Sequence, residues 1–76
     1  MESFQISLET IRAIETQIDI FKNRINTYQL SIEKIMKMGN NEVIKKSIEG
    51  YTKQVEFLKE KIELLEKDLE ILKKFI

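Results

Sequence analysis

The 76-residue sequence contains no cysteine, no histidine, no proline and no tryptophan, and its thirteen Lys or Arg balance thirteen Asp or Glu. Without thiols there is no disulfide framework, no thiolate zinc site and no cysteine nucleophile. Without imidazole the commonest general base and metal ligand is missing. An enzyme is therefore not expected, and the sequence offers no catalytic residue, cofactor site or metal site. No apolar run approaches the roughly 18 residues of a membrane span, and the first residues lack the basic start and apolar block of a signal peptide. The expected address is the cytoplasm. A chain this short seldom builds a self-sufficient core without staples or a partner.

What the sequence does contain is 42% apolar and 34% charged residues, too apolar for a disordered chain and typical of long amphipathic helices. Its strongest signal is period. Beginning at Phe4, apolar residues fall at Ile11, Ile14, Ile18, Phe21, Ile25, Tyr28, Ile32 and Ile35, in alternating steps of three and four, and only Ser7 misses its place. A second series runs Ile44, Ile48, Tyr51, Val55, Leu58, Ile62, Leu65, Leu69, Leu72 and Ile76. In heptad terms nineteen of twenty a and d positions are apolar, the seam of a helix that faces another helix along its length.

Between the series lies Met38-Gly39-Asn40-Asn41-Glu42. Gly suits the left-handed position after a helix, Asn suits an N-cap, and Glu42 meets the positive end of the next helix. The a position due at 39 reappears at 41, a slip of two that matches neither usual coiled-coil discontinuity. The pattern thus predicts one all-α domain over 1–76, an antiparallel helical hairpin. Helix 1 is expected at about 3–38, the turn at about 39–41 and helix 2 at about 41–75, each helix roughly 50 Å long. Facing residues should sum to about 79 or 80, placing Tyr28 and Tyr51 in one layer. Gly50, inside helix 2, reads either as a tolerated weak spot or as a place of close helix approach or slight bending.

A hairpin needs only its a and d positions to hold together, so apolar residues elsewhere are informative. Ile6, Ala13 and Ile20 recur at position c of helix 1, and Phe57, Leu64 and Ile71 at position c of helix 2. Position c lies about 100° from d, with g between them, and in an antiparallel pair g faces g. Both c rows therefore open onto one side of the hairpin, at the end away from the turn. Such a patch is expected to be covered. The economical cover is a second copy, giving a two-fold homodimer or higher oligomer with a four-helix bundle. Isoleucine at both a and d of helix 1 also leans toward more than two strands. With overlap confined to the open halves, the two turns would project from opposite ends. Met36, Met38 and Val43 gather near the turn, where they are expected to cap the seam or else to offer a small adaptable contact.

The charge is unevenly placed. Residues 22–53 hold seven basic and three acidic side chains, a net +4, and the two outer segments hold six and ten, a net −4. The basic tip, with Lys34, Lys37, Lys45 and Lys46, is a possible contact for phosphate, anionic lipid or an acidic protein. In architecture and size the chain is similar to the plasmid-copy-number RNA binders, hairpins that dimerise into four-helix bundles, although no motif of that family is present. That likeness implies nucleic-acid binding through a basic turn region. Against it, Phe4, Phe21, Tyr28 and Tyr51 lie on the seam, where they cannot stack on bases. Small hairpin chaperones of bacterial secretion systems share the shape too, which implies a chaperone, adaptor or inhibitor that binds a heterologous partner helix. The leading expectation is a non-enzymatic homo-oligomeric interaction or assembly module. Its Ile, Lys, Asn and Glu usage suits a low-GC bacterium, its phage or an archaeal element.

Overall fold

The computed structural model describes residues 2–75, with side chains from residue 8 onward. Two helices account for almost all of it: α1, Glu2–Met36, and α2, Glu42–Lys73, with no strand among the described residues. They lie side by side in a rod of 59 × 15 × 12 Å. Helix 1 stops two residues short of the expected 38, and helix 2 runs from 42 rather than 41 to 73 rather than 75, so the turn is wider than the sequence suggested. The reason is local. The Met38 amide donates to the Ile35 carbonyl at 3.0 Å, which tightens the last turn of α1. Gly39 then takes φ +142°, a conformation that a Cβ disfavours.

Asn41 opens the second helix. Its backbone is extended, at φ −95° and ψ 174°, and its side-chain oxygen accepts a hydrogen bond from the Ile44 amide at 3.0 Å. One of the amides that the first turn leaves without a helical partner is satisfied this way, with Glu42 beside it as the acidic residue of that turn.

The seam forms as the heptads require. Ile11, Ile18, Ile25, Val55, Leu58 and Ile62 are buried, and all six are a or d positions. Ile14, Phe21, Tyr28, Leu65 and Leu69 pack against the cluster that runs along the middle of the rod. The register is the expected one: the rings of Tyr28 and Tyr51 meet with centroids 5.6 Å apart and planes tilted by 40°. Phe4 and Ser7, the first two positions of the seam, lie outside the described side chains.

Candidate functional site

The seam is closed on one flank and open on the other. Of the eight described a residues, Ile11, Ile18, Ile25, Val55 and Ile62 are buried; of the nine d residues, only Leu58 is. Around a helix, a borders e and d borders g and then c. The e positions next to the buried row include Glu15, Lys22, Lys59 and Glu66, whose long stems can lie along apolar surface while the charges stay in water. The g positions are mostly shorter, among them Thr10, Gln17, Ser31, Ser47 and Gln54. Among the described residues every d side chain except Leu58 keeps part of its surface in solvent.

The c rows run along this open flank. Ile20 is 40% exposed, Phe57 53%, Leu64 61% and Ile71 55%, and Ala13 is exposed as well. Five of the six residues singled out from the heptads therefore stand in solvent on the hairpin; the sixth, Ile6, lies outside the described side chains. Lys61 sits over the Phe57 ring at 5.1 Å from its centroid, a cation–π contact that partly shields an otherwise bare aromatic face. Thr27, the next c residue of helix 1, donates its hydroxyl to the Asn23 carbonyl at 3.1 Å, so this polar group needs no partner from outside.

Toward the turn the same flank becomes a shallow hollow lined by Tyr28, Ser47, Gly50, Tyr51 and Gln54. Gly50 is its floor. A Cβ there would meet nothing within 4 Å, so close approach of helix 1 is not the reason for the glycine, and α2 runs through the position without interruption.

Met36, Met38 and Val43 correct an expectation. They are 62%, 76% and 73% exposed and do not cap the seam. Met36 is the last residue of α1 and falls at e, Met38 lies past the helix end in the turn, and Val43 falls at c, away from the seam. Leu30, at f on the opposite side, is also exposed at 58%, and sequence reasoning passed it over because it belongs to no row. Lys34, Lys37, Lys45 and Lys46 are all exposed around the tip.

Among the described residues no three Asp or Glu side chains converge to hold a metal ion, and no helix is long and apolar enough to cross a membrane. The chain matches no family model, no curated protein and no solved structure.

Proposed function

We propose that the chain is a non-enzymatic assembly module of the cytoplasm that associates with further copies of itself through the d/c flank, pairing two hairpins into a four-helix bundle. One observation carries this reading. Four large apolar residues, Ile20, Phe57, Leu64 and Ile71, stand exposed in two rows on the one flank where the seam itself is uncovered. Covering that flank buries the c rows and completes the burial of the d row at the same time, each large side chain contributing about 1.5–3 kcal/mol when fully removed from water. Against this stands the entropy of ordering the chain, which a two-helix unit alone offsets poorly. Folding and association are then one coupled equilibrium.

Leu64→Glu puts a charge in the middle of the patch, at a side chain already exposed on the single hairpin. Sedimentation and circular dichroism should find a monomeric, largely unfolded chain. An unchanged folded dimer would sink the proposal.

A further inference from the structure

We infer that the two copies lie antiparallel and overlap along almost their whole length, with the two-fold axis crossing helix 2 between Phe57 and Leu64, so that the Gly50 hollow of each receives Ile71 of the other. This rests on the homo-oligomeric reading above and replaces the shorter, open-half overlap that the c rows alone suggest. Helix 2 presents Gly50, Phe57, Leu64 and Ile71 at c. About an axis between 57 and 64 these residues pair by size, Phe57 with Leu64 at the centre and Gly50 with Ile71 at each end. Glycine thereby acquires a reason that the single hairpin does not supply, since its Cβ would meet open space there. Through the layer of Tyr28 and Tyr51, the same axis passes helix 1 between Ile18 and Asp19. Ile20 then lies within one helical turn of its own copy, and Ala13 faces Arg24, whose long stem lets its guanidinium reach water.

Area and charge both favour this register over the shorter one. Full overlap joins about 50 Å of rod with a face about 20 Å wide. That covers about 1,000 Å² per copy, above the roughly 800 Å² of a standard specific interface. Stacking only the open halves, with the axis through Ala13 and Leu64, joins about 33 Å and about 650 Å². Full overlap also lays the +4 half of each copy along the −4 half of the other, whereas the shorter overlap stacks the two −4 halves on each other. Lys61 falls near the axis opposite its own copy, and its long stem lets the ammonium reach the edge of the interface.

The chain has no cysteine, so a single introduced thiol reports the register by disulfide formation, which fails when Cα atoms are more than about 7 Å apart. Under full overlap Ile20→Cys, about 4.5 Å from its copy along the rod, forms a covalent dimer on mild oxidation, and Ala13→Cys, about 16 Å from its copy, does not. The reverse pattern, or a dimer in which neither links, overturns the register and leaves self-association standing. A chain that sediments as a monomer at tens of micromolar overturns both. The second measurement is Gly50→Leu, which fills the hollow and has room in the single hairpin. Unchanged helicity with about tenfold weaker dimerisation is expected, and a dimer of undiminished affinity overturns the fit of Ile71 into the hollow.

Discussion

The two flanks of the seam are built from the same heptads, yet they end in different states. On the a/e flank most of the apolar row is buried, although most of its neighbours at e are charged or polar. On the d/c flank all but one of the d residues stay partly open, although the c rows beyond them carry Ile20, Phe57, Leu64 and Ile71. Apolar neighbours do not make a flank dry; something has to lie over it. The first flank is finished within one chain, and in the proposed assembly the second is finished by another copy. Because folding and association are coupled in that assembly, stability as a whole should rise with protein concentration, and each flank contributes its own part to it.

Substitutions can pull these two parts apart. The largest effect is expected from Ile18→Ala, in the buried row. Truncation there removes transfer free energy and leaves a cavity, for a loss of about 2–5 kcal/mol, seen in urea denaturation at every concentration tested. A loss confined to low concentration would mean that the a row, too, owes its burial to the partner. Gly39→Ala should come next, because φ +142° forces a Cβ into a strained backbone, at a cost of about 1–2 kcal/mol. The added methyl itself would meet only the Ile44 Cδ1 at an ordinary 3.5 Å. Both flanks depend on the turn, so thermal melts should move by the same amount at high and low concentration. The smallest effect is expected from Leu30→Glu, which places the charge used in Leu64→Glu on the back of helix 1, at f, facing away from helix 2. Stability and sedimentation should stay within about 0.5 kcal/mol of the parent. If Leu30→Glu dissociates the dimer as Leu64→Glu should, the contact surface is not the d/c flank.

Much of this arrangement was readable in the residues. Steps of three and four from Ile11 to Leu72 specify which residues meet, and the six buried side chains are all members of those rows. A slip of two in the register, Gly39 and Asn41 locate the turn, and the seven-residue spacing of Ala13, Ile20, Phe57, Leu64 and Ile71 places them on one side. Helix ends were less readable. The bond from the Met38 amide to the Ile35 carbonyl ends α1 early, and no apolar pattern encodes such a bond. Of the two readings of Met36, Met38 and Val43, exposure removes the cap and leaves the small adaptable contact: Met38 lies beyond the end of α1, while Met36 at e and Val43 at c stand off the seam by their own heptad positions.

Sequence alone determined the angular address of every residue on its own helix, because the 3.6-residue turn converts spacing into direction. It therefore determined the seam, the antiparallel register and the existence of the c rows. Only the tertiary structure decided which flank of that seam is covered, since coverage depends on how the second helix is set beside the first and on what side chains lie over the joint. It alone also revealed that Gly50 floors a hollow rather than a crowded crossing. Direction around a helix is a property of one chain segment, whereas exposure belongs to all the surfaces that meet there.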